Sequence, residues 1–122
     1  LGSGAMKRPI LEAVDDLGDL HGVAPEVIDL LTIDPMDVAT LADSVRRTGR
    51  CVVVQEAPRT CSVSSEIVAQ LNEHAFEHLI APIRRVTGYD INFPYFQTEQ
   101  HYLPDPDSIT AAVLETIRFD ET

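Results

Sequence analysis

His74 and His78 stand four residues apart, with Glu73 and Glu77 beside them. On a helix that spacing puts both imidazoles on one face, a geometry able to hold a divalent cation. The stretch Asn72-Glu-His-Ala-Phe-Glu-His78 is also the polar face of an amphipathic helix. Structural zinc wants four ligands and nothing in the chain identifies the other two, so no metal site is assigned. His21 and His101 stand alone and read as surface or loop residues. Glu56 and Arg59 follow a predicted strand, and open α/β sheets bind ligands beyond the carboxyl ends of their strands. The simpler reading of the two is a local ion pair that fixes the turn around Pro58. Cys51 and Cys61 show no C-x-x-C spacing and no flanking His, so they are expected to be two reduced thiols rather than zinc ligands or a disulfide.

Sequence signatures of catalysis are scarce. The chain has no G-x-S-x-G elbow, no phosphate loop, no G-x-G-x-x-G fingerprint and no H-E-x-x-H, and Gly2-Ser3-Gly4 is too short to count. No residue is assigned a catalytic or cofactor-binding role.

Composition narrows the class. The 122 residues are 44% hydrophobic, enough for a single globular domain and against disorder. Twenty acidic against nine basic side chains give a net charge of −11, which argues against nucleic acid and anionic membranes. The acidity is spread: residues 1–61 hold 10 acidic and 6 basic side chains, residues 62–122 hold 10 and 3. Such a shell suits a basic partner. Apolar runs such as Cys51 to Val54 fall far short of the ~20 residues that span a bilayer. The stretch Leu1-Gly-Ser-Gly-Ala-Met6 lacks the regions of a signal peptide, so a cytoplasmic location is expected, and a start on Leu reads as an excised or processed piece.

The elements follow from periodicity. Ile10, Val14 and Leu17 mark a helix over Pro9 to Leu20, broken by Gly18, Gly22 and Pro25, and Val27 to Leu31 reads as a short strand. Asp34 as N-cap and Pro35 at the first helical position predict a second helix that buries Val38, Leu41, Ala42 and Val45 and stops at Gly49. Arg50 to Glu56 reads as a central strand covered on both faces and ended by Ala57-Pro58. A helix over Ser64 to Leu79 and a strand over Ile83 to Gly88 come next, then a last helix capped by Asp107 or Ser108. This alternation predicts an α/β three-layer sandwich, with a mostly parallel sheet and helices on both faces. Residues 89–104 hold five of the seven aromatic residues without a period, either as a functional loop or as cover for the sheet edge.

Five separated blocks carry a resemblance. They are Glu26-Val-Ile-Asp-Leu-Leu-Thr-Ile-Asp-Pro-Met-Asp37, Ser44-Val-Arg-Arg-Thr-Gly-Arg50, Val52-Val-Val-Gln-Glu-Ala-Pro58, Ala81-Pro-Ile-Arg-Arg-Val-Thr-Gly-Tyr-Asp90 and Tyr102-Leu-Pro-Asp105. In order and spacing, over residues 2–119, the chain closely resembles the C-terminal domain of the beta subunit in thiamine-diphosphate-dependent 2-oxo acid dehydrogenases of the pyruvate and branched-chain type. The resemblance implies the transketolase C-terminal fold with a sheet of about five strands, the first truncated here, and Gly4-Ala5-Met6 as the turn leaving a strand. It also implies that thiamine diphosphate and magnesium belong to the full enzyme and not to this chain. The partners implied are an alpha subunit and a second beta subunit in an α2β2 tetramer, with the acyltransferase core's basic peripheral subunit-binding domain docking near Phe119, Asp120 and Glu121. Gln55 stands where branched-chain members often have His, and Cys61-Ser-Val-Ser-Ser65 replaces a more Gly-rich turn, so the 2-oxo acid stays open among branched-chain, pyruvate and acetoin types. A free-standing acidic module that holds a basic protein is the alternative. The Glu56-Ala-Pro58 and Tyr89-Asp90 blocks count against a third reading, a transketolase-like enzyme such as deoxyxylulose-phosphate synthase.

Overall fold

The computed structural model describes residues 1–91 and 102–121, so most of the aromatic 89–104 segment, His101 among it, lies outside the described residues. The elements run α1 (Lys7–His21), α2 (Val38–Thr48), β1 (Val52–Pro58), α3 (Val63–Ala75), β2 (Arg84–Gly88) and α4 (Pro106–Ile117). Short 3-10 turns lie at Gly4–Met6, Phe76–His78 and Arg118–Glu121.

Adjacent residues of β1 belong to two different cores. Val53 packs with Leu41, Ala42 and Val45 of α2 and Ile67, Leu71 and Ala75 of α3. Val54 packs with Ile10 and Ala13 of α1, Val86 of β2, and Ile109 and Ala112 of α4. Successive strand side chains point to opposite faces, so a continuous valine run fills both layers. Helices on both faces of a parallel sheet are thus observed as expected.

The strand count differs from the expectation of five. Among the described residues two strands are regular, with Val52 paired to Arg84, Val53 to Arg85 and Val54 to Val86 in parallel register. Gly2 adds isolated parallel bridges to Asp29 on one side and Val54 on the other. The Gly2 amide donates to the Ile28 carbonyl at 3.1 Å, and the Val54 amide donates to the Leu1 carbonyl at 2.8 Å. The predicted strand Val27 to Leu31 is reduced to its Asp29 bridge, because Leu1 and Gly2 give it only a two-residue neighbour to pair with.

Several boundaries move for local reasons. Gly18 lies inside α1, whose stop is Gly22 at φ 65°; a helical glycine costs about 1 kcal/mol against alanine, which packing of the Ile10, Ala13 and Leu17 stripe offsets. Asp34-Pro35 sits in a turn, and Asp37 is the N-cap of α2 instead. Its Oδ1 accepts from the Thr40 amide at 3.2 Å and its Oδ2 from the Thr40 hydroxyl at 2.7 Å. Gly49 at φ 73° ends that helix as expected. β1 carries Ala57 and Pro58 within it, past a register irregularity that pairs Pro58 with Gly88. α3 stops at Ala75 rather than Leu79. The cap of α4 is Asp105, with Pro106 next, in place of Asp107 or Ser108. No described helix is long and apolar enough to cross a membrane.

Candidate functional site

In a parallel sheet all carboxyl ends meet at one edge, where loops present side chains above the strands. Here that crest is built from the exit of β1, the entry to α3 and the exit of β2. Ser62 occupies the N-cap of α3 without a side-chain cap bond. Gln55 supplies one from the strand: its Oε1 accepts from the Ser64 amide at 2.9 Å while its Nε2 donates to the Pro58 carbonyl at 3.0 Å. One side chain thereby fixes both the bulged strand end and the helix start.

Two further ties join this loop to β2. Arg59 Nη1 donates to the Arg85 carbonyl at 3.1 Å, and Arg85 Nη1 returns a bond to the Arg59 carbonyl at 3.0 Å. Arg85 Nη1 also reaches the Ser65 hydroxyl at 2.9 Å and that of the fully buried Ser64 at 3.3 Å. Asp90 accepts from the Thr60 amide at 3.0 Å through Oδ1 and from the Thr60 hydroxyl through Oδ2. The Thr60 hydroxyl, then its amide, hold the Asp90 carboxyl below the usual carboxylate range. Between these ties Cys61 takes φ 52°, a left-handed conformation that suits glycine. The Gly-rich turn expected of relatives at this point thus has a geometric reason.

The ion pair expected between Glu56 and Arg59 does not form, because the Arg59 guanidinium is turned to the backbone of β2. The His74/His78 pairing also dissolves. α3 ends at Ala75, so His78 lies in the following 3-10 turn with its Nε2 3.8 Å from Glu77, while His74 offers its carbonyl to Arg46 Nη2 at 3.0 Å. Cys51 and Cys61 are free thiols, and burial pushes the Cys51 thiol up.

The C-terminal candidates sit at the opposite end of the sheet. Arg50, just before β1, donates through Nε to the Thr116 carbonyl in the last turn of α4 at 2.9 Å. That bond ties the Arg118–Glu121 turn to the amino end of the sheet. Phe119 within it is 43% exposed, and the backbone of Asp120 and Glu121 completes the turn. An apolar cleft of about 250 Å³ lies between α1, α4 and the sheet, with Ile10, Val14, Val113 and Ile117 among its walls. Sequence reasoning missed the Thr60–Asp90 and Arg59–Arg85 ties, since no local pattern joins residues 26 or 30 positions apart.

Comparison with known proteins adds the family. Residues 1–109 match the transketolase C-terminal domain. The mitochondrial 2-oxoisovalerate dehydrogenase subunit beta of Dictyostelium discoideum is 47% identical over 105 residues, 86% of this chain and 28% of the relative. The pyruvate dehydrogenase E1 component subunit beta of Staphylococcus aureus is 43% identical over 116 residues, 95% of this chain and 35% of the relative. The 2-oxoisovalerate dehydrogenase subunit beta of Pseudomonas aeruginosa is 46% identical over 94 residues, covering 77% and 27%. Among solved structures, a split gene transketolase described as an inactive beta4 tetramer superposes with a TM-score of 0.74 at 26% identity, over 95% of this chain and 36% of that one. The chain thus spans about a third of the length of the relatives it matches.

Proposed function

The chain belongs to the transketolase C-terminal domain family, in the branch of the 2-oxo acid dehydrogenase beta subunits, and on that premise we propose that it is a subunit-contact and complex-assembly domain. In this reading residues 1–122 act as one domain of a longer beta subunit in the cytoplasm. They support oxidative decarboxylation of a 2-oxo acid only within the full α2β2 enzyme. An alpha subunit and a second beta subunit are the partners inside the tetramer. Phe119, Asp120 and Glu121 form the surface that receives the basic peripheral subunit-binding domain of the acyltransferase core.

The observation that carries this reading is where the polar side chains are spent. Asp90, Arg85, Gln55 and Ser64 are all committed to ties within the crest, which stiffens a surface and activates no reactive group. A contact domain needs a rigid face more than a tuned acid or base. The description of the split gene transketolase as a beta4 tetramer supports association between beta chains as part of the role.

Thiamine diphosphate with magnesium does not fit the described residues. Among them no group of three or more His, Cys, Asp or Glu side chains converges, and the one crest carboxylate at the end of β2, Asp90, has both oxygens on Thr60. In this reading the cofactor belongs to other domains of the full enzyme.

Calorimetric titration tests the reading. A basic peripheral subunit-binding domain is expected to bind this chain, and binding is expected to weaken in Phe119→Ala and in a double Asp120→Lys, Glu121→Lys variant. Stoichiometric binding of thiamine diphosphate and magnesium to the chain, or docking indifferent to all three positions, would overturn it.

A further inference from the structure

A gap one strand wide interrupts the sheet beside β1. Gly2 bridges Asp29 on one side and Val54 on the other, so Leu1 and Gly2 lie between two flanking chains. The Gly2 amide donates to the Ile28 carbonyl at 3.1 Å and the Leu30 amide to the Gly2 carbonyl at 2.8 Å. Towards β1, the Leu1 nitrogen donates to the Val52 carbonyl at 3.0 Å and the Val54 amide to the Leu1 carbonyl at 2.8 Å. Ahead of Leu1 the same place continues as the apolar cleft of about 250 Å³, with Ile28 and Val52 at its sides.

The cleft has the walls and the hydrogen-bonding edges of a missing strand. Leu41 and Val45 of the α2–α3 core line it from one face, and Val14 and Val113 of the α1–α4 layer line it from the other. It is therefore an opening within the sheet layer and not a dent in the surface. Along an extended chain the N–H and C=O of one residue point the same way. The Cys51 carbonyl accepts from the Arg84 amide of β2, whereas the Val52 carbonyl accepts from Leu1, so the Val52 amide also points into the cleft. By the same parity the Ile28 amide points in from the opposite side. The Leu1 ammonium is poorly suited to this place, because burial pulls its pKa below the ordinary amino-terminal value. A peptide N–H makes the same bond to Val52 without a charge.

We propose that this cleft docks one extended apolar segment, which lies parallel to β1 between Ile28 and Val52 and runs into Leu1. The source of that segment rests on the reading of a longer beta subunit: the matched family is a C-terminal domain, and the relatives are about three times as long as this chain. Register follows from Gly2. Carrying its pairings with Asp29 and Val54 backwards residue by residue, the third position ahead of Leu1 reaches Pro25 and Arg50. The first position takes the Ile28 amide on its carbonyl, and the second takes the Val52 amide. Side chains alternate. Leu1 packs on the α2–α3 core and a Cβ on Gly2 would run into Ile10, so the first position faces α1 and α4 and the second faces α2 and α3. Both must be apolar, as in a strand covered on two sides.

Extending the chain at its amino end by Ile-Val-Val, against the same chain extended by Gly-Ser-Gly, tests the assignment. Both extensions replace the buried ammonium by an amide, so their difference reports the strand alone. The apolar extension is expected to melt roughly 5–10 °C higher. Amide exchange at Ile28 and Val52 is expected to slow at least about tenfold relative to the Gly-Ser-Gly chain. Aspartate at the first or at the second position should each erase the gain. Equal melting temperatures, unchanged exchange at the two amides, or tolerance of aspartate at either position would overturn the proposal. A gain in stability that appears only in a dimer on size-exclusion chromatography would also overturn it, because the segment would then sit in a second copy. Docking of the basic subunit-binding domain is measured on the unextended chain and its Phe119→Ala variant, so the assembly reading and the strand assignment can fail separately.

Discussion

The ring of Tyr102 lies so close over Gly88 that a Cβ built on the glycine would stand 2.6 Å from the ring's Cζ. Tyr102 is only 4% exposed, and Gly88 is the β2 residue paired with Pro58 beyond the strand irregularity. The contact joins the end of the sheet to the chain that leads into α4. Tyr102 also braces Tyr89, the residue that follows β2, edge-on.

Gly88→Ala is therefore expected to destabilise by overpacking, by about 1–3 kcal/mol. The neighbours of the missing Cβ are the ring atoms of a buried side chain. Urea denaturation measures the loss. In a Tyr102→Ala background the same substitution should cost clearly less, and equal costs in both backgrounds would refute the steric account.

Acid is expected to weaken the fold through three aspartates. Hydrogen bonds from Thr40 to Asp37, from Thr60 to Asp90 and from Ser108 to Asp105 each lower the folded-state pKa of the carboxyl. A depressed folded pKa means that the stabilisation is complete above the unfolded value of about 3.9 and is lost as pH falls through the lower folded value. Stability should thus be flat with respect to these groups from pH 7 to about 5 and decline below about 4. Urea midpoints across that range check this, and Asp90→Asn should flatten the acid limb.

Asp105→Ala removes the α4 cap that accepts from the Ser108 amide at 2.8 Å, and should cost about 1 kcal/mol. The same dipeptide shows what sequence does and does not fix. Asp105-Pro106 forms cap and first helical residue, whereas Asp34-Pro35 forms a turn. At the second place Asp37 competes, and it wins because Thr40 offers it both an amide and a hydroxyl. Legible features were those set by local period: the two-sided Val53/Val54 strand, the buried stripe of α2 and its glycine stop. The early end of α3 carried no signal, since neither glycine nor proline follows Ala75 until Pro82. The crest was half legible. Glu56 and Arg59 pointed to the right edge of the sheet, but their partners are set by tertiary pairing of β1 with β2.

Cys61→Gly is expected to stabilise slightly. The residue sits at φ 52°, where a side chain costs about 1–2 kcal/mol, and glycine's larger unfolded entropy returns part of that gain. A rise in melting temperature is the expected result. Cys61→Val, β-branched at the same dihedral, should instead lower it, and the opposite order would show that backbone conformation is not what this position controls.

Arg50 is expected to control the far surface without touching the crest. Its Nε bond to the Thr116 carbonyl is partly buried and spans 66 residues, so it holds the end of α4 against the entry to β1. Arg50→Met keeps much of the apolar stem but removes the donor, leaving a half-buried carbonyl unsatisfied at a cost of about 1–3 kcal/mol. The loss should be local. Amide exchange at residues 118–121 is expected to accelerate while the buried Ile109 turn of α4 stays protected, because that turn is held by the Val54 and Val86 core. Under the proposed assembly role, docking of a basic subunit-binding domain should weaken with the fraying. Uniform acceleration along α4 would mean instead that Arg50 supports the whole layer and not the Phe119 turn alone.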